Sequence, residues 1–384
     1  MLLRRVISSR SLPTLSYSTA TATAEETKFT DFRTSEQDPT KHSEKHIGRL
    51  FYKIPENVKK VLFSQGGIPK QYEKQWKTFA EPCLMIRKPV IDLINYIGQG
   101  VSTDKPVNRY VLYGDIGAGK SLTLAHLLHY GYTAGFMLVH MPYSGYYYKF
   151  PKEHGPSATR EGFWDLPLDS AAWLIRFKTQ NGHLLNQPDL KISKDYVWSK
   201  RETTPAGSSL LELVDHGINR VKFAGDTIDA LIEELKLLST SGKCKVLAII
   251  DQYNVFWQPL SYLRGPHRVR IKTENVTLTN PMRSISNYNW TNGAVVVSVD
   301  PMGHVDQFGQ SPLPRCMLGK EGFEHMDPFV PIEVPTYDDK EFQNCIDYYL
   351  DRRWIQNTAE GFDKELKLLT NKNPYDLMRM CAPL

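Results

Sequence analysis

The residues of this chain best placed to do chemistry lie in one octapeptide. Gly114-Asp-Ile-Gly-Ala-Gly-Lys-Ser121 satisfies G-x-x-x-x-G-K-[ST] in full. Each part of that spacing has a mechanical reason. Glycines let backbone N–H groups turn inward as an anion nest, where a Cβ would obstruct a phosphate. A helix beginning near Gly119 points the positive end of its dipole at the same anion. Lys120 supplies a compact cation for β- and γ-phosphates, and Ser121 offers a hydroxyl to Mg²⁺. The chemistry implied is capture of a nucleoside triphosphate with its magnesium ion.

A second string supports the first. Val246-Leu-Ala-Ile-Ile-Asp251 is an apolar run closed by an acid, the Walker B pattern. Such a strand is buried on both faces, and the carboxylate of Asp251 at its C-terminal end reaches the metal side of a phosphate site. Many P-loop ATPases carry Glu at the next position as the base that polarises water, whereas this chain has Gln252. An amide orients water but cannot take its proton, and lacking a general base typically costs about 10²–10⁴-fold in rate. Slow hydrolysis at most is therefore expected. Ser298, near the end of Gly293-Ala-Val-Val-Val-Ser-Val299, is either a γ-phosphate sensor or an ordinary strand-end hydroxyl. The base is expected to pack against Met85, Ile86 and Arg87 and against the C-terminal part. Arg87 is then either a base-side contact or a surface charge. Which base is bound is not legible here. Asn371-Lys-Asn-Pro374 lacks the Asp of the guanine-reading N-K-x-D segment.

The elements that must position these groups form a regular pattern. Arg109–Tyr113 is a short β-prone run ending at Gly114; Leu122, Leu124, Leu127 and Leu128 mark a helix; the run from Phe136 is the next strand. Strand, Gly-rich turn, helix and strand make a βαβ unit, hence an α/β fold with a parallel sheet covered by helices. Ile228, Leu231, Ile232, Leu235 and Leu238 recur at helical spacing. Strands are predicted at Lys245–Ile250, from Gly293, and at Phe329–Val334. Two helices are expected between Leu50 and Gln99, the second over Pro82–Ile97. Asp338 and Glu341 give a capping signature for a helix carrying Phe342, Ile346, Tyr349 and Leu350. The organisation read from these patterns is an N-terminal extension over 25–80, a P-loop nucleotide-binding domain over 81–336 and a small helical part over 337–384. An aromatic-rich insertion, about 143–207, carries Tyr146, Tyr147, Tyr148, Trp164 and Trp173, as a partner surface or a satellite core. Residues 25 to about 50 are polar and charged and read as a mobile linker or an arm that orders on a partner.

Composition narrows the setting. Residues 1–24 hold Arg4, Arg5 and Arg10, many Ser and Thr and no acid, the composition of a mitochondrial transit peptide. Its removal would lower the formal charge from +5 to +2, so contact with RNA must use local patches rather than bulk charge. Leu263–Lys272 is one such patch, either a phosphate-backbone contact or a solvated loop. No run approaches the roughly 18 apolar residues of a membrane span. The five cysteines fall at no CxxC or metal-ligand spacing, and His42 and His46, flanking Glu44, sit in a polar string with no apolar face.

Beyond the generic motifs, the strings YGDIGAGKSLTLAHLLHYG, SAAWLIRFKTQN, YVWSKRETT, LGKEGFEHMDPFVPI and CIDYYLDRRWIQ resemble the death-associated protein three family. These are GTP-binding proteins of the mitochondrial small ribosomal subunit, and the resemblance runs from about His46 to the C-terminus. It implies an AAA+-like P-loop fold, a bound GTP with Mg²⁺, and phosphate contacts at Gly117, Ala118, Gly119, Lys120, Ser121 and Leu122, with Asp251 on the metal side. It further implies contacts with small-subunit rRNA and neighbouring mitoribosomal proteins, and a place near the face toward the large subunit. An active matrix NTPase or an apoptosis-linked switch is the alternative.

Overall fold

The computed structural model describes residues 32–48, 50–304, 311–356 and 358–382. The transit peptide expected at 1–24 lies outside them. Five strands, β1 (Asn108–Tyr113), β2 (Met137–Met141), β3 (Val246–Ile250), β4 (Gly293–Ser298) and β5 (Val330–Glu333), form one parallel sheet in the order β5-β1-β4-β3-β2. Every residue of β2, β3 and β4 is buried, as the apolar runs of β3 and β4 require of strands covered on both faces. The edge strand β5 tolerates Pro331 and buries only Ile332.

The pleat sends alternate residues to opposite layers. Tyr110, Leu112, Leu247, Ile249, Ala294 and Val296 meet helices α1 (Lys88–Gly100) and α2 (Lys120–Thr133). Val111, Ala248, Ile250, Val295 and Val297 meet α3 (Pro167–Leu185), α4 (Leu210–Asn219) and α5 (Ala224–Thr240). The aromatic-rich segment does not form a satellite core of its own. Trp173 and Tyr148 are fully buried in the principal core, with Tyr147 beside them, while Tyr146 is exposed. Helix α3 also closes the other sheet edge. The Asn181 side chain accepts from Leu138 N at 2.7 Å and donates to Leu138 O at 2.9 Å, occupying backbone groups that an edge strand otherwise leaves open.

The helix expected over Pro82–Ile97 is corrected. Cys83–Met85 is a fully buried strand paired antiparallel with Phe51–Lys53, and α1 starts only at Lys88. Pro89 occupies the first turn, where a missing N–H costs nothing, so it opens the helix rather than interrupting one. Helices Glu56–Phe63 and Lys70–Phe79 lie between the two ribbon strands. The polar segment expected as a mobile linker, or as an arm that orders on a partner, is instead packed on this chain's own core from Phe32. Phe32 is buried against Tyr348, and His42 is buried against His126 of α2. The C-terminal part consists of α6 (Asp339–Asp351), α7 (Phe362–Thr370) and α8 (Pro374–Cys381). The reciprocal cap on α6 forms as read: Glu341 N donates to Asp338 Oδ1 at 2.7 Å and Asp338 N to Glu341 Oε2 at 3.1 Å.

One buried titratable group on β2 sets a pH dependence. His140 accepts at Nδ1 from Gln180 Nε2 at 3.0 Å, and burial with the nearby Arg176 charge pushes its imidazole down to about 3. The unfolded chain therefore binds a proton below about 6.5 that the folded chain refuses. Its contribution to stability is complete above that value and lost as pH falls, at about 1.4 kcal/mol per pH unit. Thermal unfolding midpoints should drop between pH 7 and pH 5, and the drop should be shallower for His140→Gln than for the wild-type chain.

Candidate nucleotide-binding site

The site lies where β1 gives way to α2. Gly114, Gly117 and Gly119 adopt φ of 142°, 84° and 107°, a region that an L side chain enters only with strain. At Gly114 a Cβ would also lie 2.3 Å from Val334 O. At Gly117 it would lie 2.5 Å from Asn373 Oδ1. Gly119 caps α2 without a side-chain acceptor, so the first-turn amides of Lys120, Ser121 and Leu122 have no intrahelical partner. Ala118 is buried beneath the turn.

The polar side chains converge on this turn. Lys120 is buried; its Nζ donates to Gly114 O at 2.7 Å and Asp115 O at 2.8 Å, and pairs with Asp300 Oδ2 at 2.9 Å. Ser121 Oγ donates to Asp251 Oδ2 at 2.8 Å, and Ser298 Oγ donates to Asp251 Oδ1. Burial raises the Asp251 carboxyl above its usual range, opposed by those two hydroxyls. A magnesium ion at Ser121 and Asp251 would supply the positive charge that favours the carboxylate. The residues present therefore fit a Mg²⁺–polyphosphate: uncapped amides, a buried cation, and a hydroxyl–carboxylate pair on one rim.

Of the two readings of Ser298, the strand-end hydroxyl understates its position. It bonds Asp251 directly and accepts from Gln252 N at 3.0 Å. Gln252 has left-handed backbone (φ 59°), and its Oε1 accepts from Gly145 N at 3.2 Å. Arg87 is not a surface charge; only 7% of it is exposed. Its Nε and Nη2 grip Glu341 at 3.0 Å each, Nη1 donates to Ala118 O at 2.7 Å, and Nη2 also reaches Pro335 O and Thr336 O. Beside it, Met85, Ala118, Leu122, His126, Tyr337 and Pro374 line a pocket continuous with the turn, on the side where the base was expected. Ile86, expected there too, is fully buried in the core.

Sequence reasoning missed three participants. Asp300 lies just past the C-terminal end of β4, where ligands of parallel sheets gather, and that position was its available signal. Glu341 was read only as a cap. Asn373 belongs to the string set aside as a guanine motif, yet its Nδ2 donates to Ile116 O at 2.8 Å and Tyr375 N donates to Gly117 O at 3.2 Å. Among the described residues there is no cluster of three or more His, Cys, Asp or Glu able to hold a metal by themselves, and no helix is long and apolar enough to cross a membrane.

Sheet, turn and converging side chains define an α/β protein with a phosphate-loop-like turn at the C-terminal end of its sheet. A family model described as "Mitochondrial ribosomal death-associated protein 3" matches residues 84–380. The chain belongs to this family of mitochondrial ribosomal proteins. It is 38% identical over 356 residues to small ribosomal subunit protein mS29 of Mus musculus, covering 92% of this chain and 89% of the relative. The Bos taurus protein of that name is 38% identical over 356 residues, with 92% and 88% covered. A more distant relative, mS29 of Schizosaccharomyces pombe, is 24% identical over 215 residues, 56% of this chain and 44% of the relative.

Arg87→Ala strands the buried Glu341 carboxylate and frees a carbonyl of the turn. Removing one partner of a buried pair costs about 3–5 kcal/mol, and Lys cannot restore the two-pronged contact. Chemical denaturation should show a loss of that size for Arg87→Ala, with Arg87→Lys recovering only a minor part.

Proposed function

We propose that this chain is a structural component of the mitochondrial small ribosomal subunit, in the matrix, that holds GTP–Mg²⁺ as a largely non-turning-over ligand. The observation that carries the nucleotide reading is the convergence of Lys120, Ser121 and Asp251 on one uncapped helix start. In this reading the amides from Gly117 to Leu122 and Lys120 bind the phosphates. Ser121 and Asp251 hold Mg²⁺, which neutralises phosphate charge. The AAA+-like assignment draws support from β4, which lies between the strands of the P-loop and of Asp251 and brings Ser298 to that carboxylate.

Slow turnover follows from the commitments of the neighbouring groups. Gln252 has no carboxylate to take a proton, and its amide oxygen is engaged by Gly145 N. Asp251 is bonded by two hydroxyls, and Asp300 is paired with Lys120. None stands ready as a base. A bound ligand instead stabilises the fold by mass action, about 4 kcal/mol at 1,000 times its Kd. The ligand would tie the C-terminal part, which bonds the same turn through Asn373 and Tyr375, to the rest of the protein. The family and the names of the relatives support assembly into the mitochondrial small ribosomal subunit; the proposal extends this to contacts with its rRNA, neighbouring mitoribosomal proteins and a position facing the large subunit. The exposed loop bearing Arg264, His267 and Arg268 suits phosphate-backbone contact.

Lys120→Ala should lose co-purifying nucleotide and incorporate poorly into small subunits on sucrose gradients. Normal incorporation of a nucleotide-free variant would remove the structural role from the ligand. Steady-state turnover by purified protein should stay below about 1 s⁻¹, the floor of working enzymes; a faster rate would favour the active NTPase.

A further inference from the structure

The Lys120 ammonium has three N–H donors, and three acceptors take them: Gly114 O at 2.7 Å, Asp115 O at 2.8 Å and Asp300 Oδ2 at 2.9 Å. The two carbonyls belong to the turn itself. Asp300 comes from outside it and takes the one remaining direction in which this buried cation serves an anion.

The carboxylate is held in that direction by its surroundings. Asp300 N donates to Asn254 Oδ1 at 3.1 Å, and Asn254 Nδ2 donates to Asp300 O at 2.9 Å. Asn254 is fully buried, so the main chain of Asp300 is clamped from both sides by one amide. Gly303 closes over that amide, where a Cβ would lie 2.7 Å from Asn254 Oδ1. Asp300 Oδ1 caps the short helix Pro301–Gly303, accepting from Met302 N at 2.8 Å. With the backbone clamped and one oxygen fixed as a cap, the other is aimed at Lys120. A second lysine that feels the Asp300 charge, Lys149, donates to Met302 O at 2.6 Å.

Strand order gives this anion a side. β4, ending at Ser298, and β3, leading to Asp251, leave the sheet on one flank of β1; β5, whose exit Arg87 holds, leaves on the other. Asp300 therefore shares the rim of Ser121 and Asp251, the side of the metal and the outer phosphates. A phosphate oxygen that takes the third proton of Lys120 would lie about 3 Å from Nζ. Since Asp300 Oδ2 is 2.9 Å from the same atom, the two anions would stand within about 6 Å of each other. Like charges that close disfavour one another by about tenfold or more, and the outermost phosphate bears most of it.

Resting on the nucleotide reading above, we infer that Asp300 is a specificity-determining residue for the number of phosphates: a fixed carboxylate that weakens the hold on a triphosphate relative to a diphosphate.

The test compares dissociation constants of the full chain for Mg²⁺–GTP and Mg²⁺–GDP in wild-type protein, Asp300→Asn and Asp300→Ser. Both replacements keep an oxygen able to cap Met302 N and remove the charge, so the inference can be read from either if the other fails to fold. Both affinities should rise as Lys120 is released, and the GTP:GDP affinity ratio should rise about tenfold over wild type. Equal gains for the two nucleotides would overturn the inference, leaving Asp300 as a competitor for Lys120 with no preference between them. A ratio that falls would also overturn it, because Asp300 would then be supporting the metal-bound triphosphate. If wild-type protein binds neither nucleotide, the nucleotide reading falls and takes the inference with it.

Discussion

One guanidinium holds the site in register with the rest of the molecule. Arg87 joins the turn at Ala118, the exit of the last strand at Pro335 and Thr336, and the first turn of α6 at Glu341. Burying a charge is costly unless its donors are matched. The rigid fork of Arg matches a carboxylate and several carbonyls at once, which an ammonium cannot do. The phosphate turn, the edge of the sheet and the C-terminal helices therefore share one constraint, and a shift in any of them strains the others.

Within that frame the site answers its own polar demands. Lys120 is paired with Asp300 and donates to two carbonyls, and Asp251 accepts from two serine hydroxyls. A polyphosphate would engage the uncapped first-turn amides and displace Asp300 from Lys120, so affinity would depend in part on how much better an anion with its metal satisfies Lys120 than Asp300 does.

Much of this was legible in sequence because it is local. Strands β3 and β4 are short runs of mostly branched apolar residues, and the turn follows from glycine spacing, so β1, α2, β3, β4 and β5 fell close to their expected limits. The reciprocal cap at Asp338 was likewise contained in four residues. What failed was whatever depended on distant partners. Leu84, Met85 and Ile86 have apolar spacing that suits a helix or a strand, and pairing with Phe51–Lys53 decides between them. Arg87 is indistinguishable from a surface charge until a residue 254 positions away closes over it. His42, in a string with no apolar face, is buried because a second histidine awaits it on α2. The aromatics of the long crossover join the main core because α3 lies flat on the sheet.

The bonds from Asn373 and Tyr375 to the phosphate turn have a consequence for biosynthesis. Asn373 closes on Ile116 across 257 positions of chain. A polypeptide made from its N-terminus has its glycine turn long before it has the wall that turn leans on. Such distant closure pays its loop entropy late, so a nascent or C-terminally shortened chain would carry the binding motif intact yet lack a finished cradle. Asn373 and Tyr375 thereby couple the packing of the C-terminal part to the shape of the glycine turn.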